Sequence, residues 1–164
     1  MINVEARWAR VELFTAYQRV TADLLLRSRL QSALNDVDPF LNLRSITTTP
    51  LVPGAPQLEG IPEGTLTKAF LGLCVMVEAE PPPPDEALEK GKRFIYLQGA
   101  TFSVKGSVEF TTAADPSLHR DMLFKSRFFP VVDATVSVIG AQAPEWQRPL
   151  VYVNRDLLVA VYLR

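Results

Sequence analysis

The last seventeen residues, RPLVYVNRDLLVAVYLR at 148–164, constrain the fold of this chain more than any other stretch. Two apolar runs, 150–153 and 157–163, are pinched by Asn154, Arg155 and Asp156. β-Branched and aromatic residues on either side of a short polar break describe two strands joined by a tight turn or sharp bend. A fainter copy of the pattern, TLTKAFLGLCVMV, occupies 65–77. The chain therefore reads as one β module written twice.

The other segments fit that reading. Residues 10–26 alternate irregularly, with Val11, Leu13, Val20, Ala22 and Leu24 suited to strand faces and Ala16, Tyr17 and Gln18 to a bend. Leu30, Ala33 and Leu34 fall at helical spacing on a short segment that Ser28 or Asn35 can cap, and Pro39 stops any helix. A strand is expected at 40–49, a loop at the Pro- and Gly-rich 50–64, and a strand pair at 65–79. Glu80, four consecutive prolines (81–84) and Asp85 form a stiff polyproline linker, with room for one helical turn at 85–90.

The second half repeats the order. Two or three strands are expected at 92–110 with Gly99 and Gly106 at bends, and a short helix at 117–124 capped by Ser117 after Pro116. A clear strand follows at 128–139, alternating through Val132, Ala134, Val136 and Val138, then a loop at 140–146. Overlaid, residues 20–24 lie on 104–108 at an offset of 84, 40–43 on 128–131 at 88, and 66–77 on 150–161 at 84. Matched letters are few; the evidence is shared order and apolar pattern. Modules are expected at 1–80 and 92–164, with a Pro-rich linker at 81–91.

Composition narrows the function. Nearly half the chain (48%) is apolar, enough for a core, while 17 basic and 18 acidic residues leave a formal charge of −1. That balance carries no general nucleic-acid or anionic-membrane footprint, and with high apolar content it favours self-association. No apolar run nears the roughly 18–20 residues that span a bilayer. The start, MINVEARWARVELF, lacks the basic head and apolar middle of a signal peptide, so a cytoplasmic location is expected. The single cysteine, Cys74, cannot form an internal disulfide and sits in an apolar run where burial is expected.

The segments RVELFT, RLQSALN and PFLNL in the first half, and FFPVVDATV and RPLVYVNRDLLVAV in the second, resemble a bacterial family of small β proteins without an assigned activity. Arg29, Leu30, Leu34 and Asn35 keep that family's helix motif in the first copy. Val153, Asn154 and Arg155 keep its final strand–turn–strand motif in the second, whereas the first has Ala69, Phe70 and Leu71 there. The resemblance implies a small, strongly bent barrel of the Sm or SH3 type. The fold class expected is therefore all-β with short helices: two tandem SH3/Sm-like barrels, packed or fused as a pseudo-two-fold pair. Barrel closure also hides edges that would otherwise invite aggregation.

The sequence shows no catalytic constellation. His119 is the only histidine and is read as a surface residue; one His and one Cys cannot supply a zinc site. No phosphate loop or nucleophile elbow is present, so no enzyme, metal or cofactor is expected. Two readings remain. The first is a protein-interaction or self-assembly module, with Trp8, Tyr17, Trp146 and Tyr152 as interface aromatics and the chain itself or another protein as partner. The alternative is a nucleotide- or RNA-binding barrel of Sm or PilZ type using Asn154 and Arg155 at the turn, with Lys125 and Arg127 nearby. The first copy, reading Phe70, Leu71 and Gly72 there, would lack that polar chemistry.

Overall fold

A computed structural model describes residues 5–80, 90–111, 115–139 and 145–164. Two compact units, Met1–Ala79 and Glu80–Arg164, divide the chain. The polyproline stretch at 81–84 and most of the helical turn expected at 85–90 lie outside the described residues, while Lys90 is already strand.

The first unit contains β1 (Arg7–Phe14), β2 (Gln18–Leu26), helix α1 (Leu30–Asn35), β3 (Phe40–Pro50), β4 (Leu58–Thr67), a 3-10 turn (Lys68–Phe70) and β5 (Leu73–Met76). Its strands are antiparallel in the order β5-β1-β2-β3-β4. Val20, Ala22, Leu24 and Leu26 form the buried face of β2, every second residue, as a half-buried strand requires. Leu30 and Leu34, one helical turn apart, press α1 onto the unit's interior. Burying each such leucine stabilises by roughly 1.5–3 kcal/mol. Arg29 occupies the N-cap position without a side-chain hydrogen bond, so Ser28 does not cap the start of α1, whereas at the other end Asn35 Nδ2 donates to Gln31 O at 2.9 Å.

The second unit repeats the order: β6 (Lys90–Gly99), β7 (Phe102–Thr111), a 3-10 turn (Pro116–Leu118) leading into α2 (His119–Leu123), β8 (Phe128–Val138), β9 (Trp146–Asn154), a 3-10 turn (Arg155–Leu157) and β10 (Leu158–Leu163). Its sheet runs β10-β6-β7-β8-β9, the same strand order as the first unit. The C-terminal pair that organised the sequence reading is not a ladder of two adjacent strands. β9 pairs with β8 and β10 pairs with β6, and the 3-10 turn carries the chain from one to the other.

Individual interactions recur between the units. Lys68 N donates to Pro39 O at 2.9 Å, and Arg155 N donates to Arg127 O at 2.8 Å. Val77 N donates to Arg10 O and Arg164 N to Phe94 O, both at 3.0 Å. Each β3-type strand carries a bulge whose first residue has a left-handed backbone: Ser45 (φ 53°) and Ile46 oppose Ala22, while Asp133 (φ 50°) and Ala134 oppose Gly106.

These ladders correct several expectations. The overlay of the C-terminal segments shifts by three, from 84 to 87, which places Thr67 over Asn154 and Lys68 over Arg155. Residues 58–64 belong to β4 rather than a loop; Pro62 is tolerated because β4 ends the unit's sheet, and Gly60 (φ 62°) forms a bulge. Gly106 is no bend but mid-strand, where a Cβ would lie 2.6 Å from Val131 Cγ1 and 2.8 Å from Val132 O. The bulge at Asp133 flips the phase of β8, so Val131, Ala134 and Val136 are buried and Val132 is not. Asp115, not Ser117, caps the segment into α2, accepting from Ser117 N at 3.0 Å and from Ser117 Oγ at 2.9 Å. No helix among the described residues is long and apolar enough to cross a membrane.

Candidate functional site: the strand turns and an exposed aromatic strip

Asn154 and Arg155 sit where β9 gives way to β10. Asn154 is buried, and its Oδ1 accepts from Asp156 N at 3.0 Å, holding the 3-10 turn closed. Arg155 reaches back to the end of α2, where its Nη1 donates to Phe124 O. Its Nε lies 3.4 Å from Asp156, which also pairs with Arg127 at 3.0 Å. The guanidinium thus satisfies a helix C-terminal carbonyl that has no intrahelical partner, at the end where a cation is favoured. An incoming phosphate would compete with that carbonyl and with the Asp156 carboxylate.

The first unit does the same with lysine. Lys68 is 2% exposed, and its Nζ donates to Ala33 O and to Asp36 Oδ1, both at 2.6 Å, at the end of α1. A buried ammonium persists only where such partners replace its water. The first copy therefore carries a polar group at this turn after all, and the comparison with Phe70, Leu71 and Gly72 rested on the three-residue misalignment.

Of the four aromatics named as interface residues, Trp8 and Tyr17 lie in the first unit and Trp146 and Tyr152 in the second. Trp8 lies near one end of β1 beneath the Arg44 guanidinium, 4.1 Å from its ring centroid, and Arg44 also approaches Asp23 at 3.5 Å. Tyr17 is exposed at the opposite end of β1, in a turn held by Thr15 Oγ1, which accepts from Tyr17 N and Gln18 N. Trp146 opens β9 across from Val136; Tyr152 is buried across from Pro130.

His119 is buried instead of exposed (7%). Its ring stacks on Phe110 with centroids 3.9 Å apart, and its Nδ1 lies 3.3 Å from Arg93 Nη1. It takes the place on α2 that Leu30 holds on α1. Cys74 is buried, and no group of three or more metal-binding side chains occurs among the described residues.

Sequence reasoning missed the outer face of β6 and β10. Tyr162 stands opposite Tyr96 in the β10–β6 ladder with ring centroids 6.0 Å apart. Lys105 stands opposite Tyr96 in the β6–β7 ladder, its Nζ 5.9 Å from the ring. Phe94 lies on the same face two residues along β6 and is exposed, as are Tyr162 (60%) and the bulged Val159 (70%). The signal was available in the alternation of Phe94, Tyr96 and Gln98, but the buried Ile95 and Leu97 drew attention to the other face. No family model, curated protein or solved structure matches this chain.

Proposed function

We propose that the chain is a duplicated Sm/SH3-like module that acts without catalysis, in the cytoplasm, by binding protein, foremost a second copy of itself. The recurring hydrogen bonds and the paired bulges support the duplication. The observation that carries the interaction reading is β10. Its six residues, Leu158–Leu163, include no charge and no proline, and it adjoins an exposed strip of aromatics. Edge strands in proteins that stay apart are usually guarded by charge, proline or short length. Exposed apolar surface of this kind marks interaction sites.

The RNA-binding alternative draws little support from the turn, because Arg155 and Asn154 already serve the fold there. Sedimentation equilibrium and native mass spectrometry of the untagged chain test the reading. Multiples of 18.2 kDa are expected, with a shift toward one copy in Val159→Lys, which adds a charge at an exposed position. A chain that remains a single copy at high concentration would count against assembly. Salt-sensitive binding of an oligonucleotide, lost in Arg155→Ala, would favour the alternative.

A further inference from the structure

Resting on the interaction reading, we infer that β10 is the seam of a two-fold pair, in which its free edge adds antiparallel to β10 of a second copy with Tyr162 at the centre. The backbone fixes which groups are available. Arg164 N donates to Phe94 O at 3.0 Å, and Tyr162 stands opposite Tyr96 in the same ladder. Successive residues of a strand direct their backbone groups to alternate sides, so Tyr162 and Arg164 bond to β6 whereas Val161 and Leu163 turn theirs away from it. β10 ends the second unit's sheet, and among the described residues no strand pairs with that edge.

The pattern is complementary to itself. With Tyr162 opposite its own counterpart, Val161 faces Leu163 of the second copy and Leu163 faces Val161 of the second copy. Residues so opposed exchange both of their N–H···O=C bonds. Direct opposition also keeps like faces together. Val161 and Leu163, half-buried in the single chain, fall on the inner side with Leu97 and Ile95, and Tyr162, 60% exposed, falls on the outer. Couples without hydrogen bonds bring their side chains closest, so the two Tyr162 rings meet. The 6.0 Å contact of Tyr96 with Tyr162 thereby extends into a row of four tyrosines.

Register and occupant follow from what would interrupt the pairing. Centred on Val161, the match would draw in Val159, where the register of β10 with β6 shifts. Centred on Leu163, it would set Arg164 against Tyr162 and part the two rings. Centred on Tyr162, Arg164 faces Ala160, and the two Arg164 residues stand about 14 Å apart along the strands, beyond the screening length of about 8 Å. The groove beside Ala160 holds Arg155 and Asp156, the latter also paired with Arg127, so apolar and backbone matching, not ionic attraction, sets the register. β4, which ends the first unit's sheet, carries Glu59, Pro62 and Glu63, the residues that guard an edge. β10 carries none of these, and an uncharged strand is best met by another like it.

The test cross-links the full chain in a Cys74→Ala background. Opposed residues of a couple without hydrogen bonds lie within disulfide reach, so Tyr162→Cys is expected to join copies at twice 18.2 kDa under mild oxidation. Val159→Cys, as exposed but about 20 Å from its counterpart along the strands, should not. Leu163→Pro removes an N–H that points away from β6 and spares the ladder, so it should raise the pair's Kd about tenfold or more through two lost hydrogen bonds, with an unchanged circular dichroism spectrum. If Leu163→Pro does not fold, the cross-link decides. Tyr162→Cys that joins no faster than Val159→Cys, pairs that persist in a folded Leu163→Pro chain, or open-ended multiples in native mass spectrometry would each overturn the seam while leaving self-association standing. A chain that stays a single copy at high concentration overturns the seam and the assembly reading together.

Discussion

The two units solve one problem with different side chains. Each must satisfy the carbonyls at the end of a short helix, and each sends a cation from the 3-10 turn before its last strand. In the first unit the cation is Lys68, buried and bonded to Ala33 O and Asp36; in the second it is Arg155, about a third exposed and bonded to Phe124 O with Asp156 alongside. Lysine is a compact point charge that must be enclosed by acceptors when buried, whereas arginine's fork can serve a carbonyl and a neighbouring carboxylate from the surface. Position in the turn is what the units share; depth is what separates them.

That difference sets the largest expected effect. Lys68→Ala should cost about 3 kcal/mol in urea unfolding, from loss of charged hydrogen bonds in a dry site. Arg155→Ala should cost about 1 kcal/mol, because water can replace a half-exposed partner. Equal losses would break the comparison by showing that depth does not matter. Lys68→Arg should be poorly tolerated, since the pocket is shaped to an ammonium.

A second contrast lies one turn earlier. Leu30 of α1 corresponds to His119 of α2, whose buried Nε2 has no hydrogen-bond partner among the described residues. His119→Leu should therefore raise stability by about 1 kcal/mol, the penalty of an unsatisfied buried polar atom. A loss would mean that the stack on Phe110 and the Arg93 contact outweigh that penalty.

The bulges offer a smaller effect. Ser45→Gly should stabilise by about 0.5 kcal/mol, as relief of a left-handed backbone is partly offset by glycine's greater freedom when unfolded. Asp133→Gly should gain less, because Asp tolerates that backbone and its carboxylate pairs with Lys92 at 3.5 Å. Differential scanning calorimetry of the two variants would rank them.

The smallest effect concerns acid. The hydrogen bonds from Ser117 N and Oγ, and to a lesser degree the charge of His119, hold the Asp115 carboxyl below the usual carboxylate range. A carboxyl lowered in the folded state contributes stability above its unfolded pKa of about 3.9. That contribution fades as pH falls through the lower, folded value. Protection of the Ser117 amide, its exchange relative to the intrinsic rate at each pH, should therefore fall below about pH 4, and Asp115→Asn should abolish the dependence. The first unit, whose α1 lacks a side-chain N-cap bond, should show no counterpart.

Much of the chain was legible as sequence. Val20, Ala22 and Leu24 marked the buried face of β2, the i, i+4 pair Leu30 and Leu34 wrote α1, and shared order exposed the repeated element sequence. The site was less legible. Apolar runs such as LGLCVMV and LLVAVYL slide over one another without penalty as letters, so the overlay missed that Lys68 matches Arg155. The phase of β8 went astray for a related reason: a bulge begun by aspartate leaves no glycine to mark it.

By itself, then, the sequence determined the β character, the short helices and the repeated order, because these rest on local periodicity and turn chemistry. Only the tertiary structure decided which strands are neighbours, where the bulges reverse a face, and that His119 is buried. It also decided that Asn154 and Arg155 serve the turn while Phe94, Tyr96 and Tyr162 line one face. Those outcomes depend on hydrogen-bond register and on which side of a strand faces the core. Residues far apart in the chain set both, and no local window contains them.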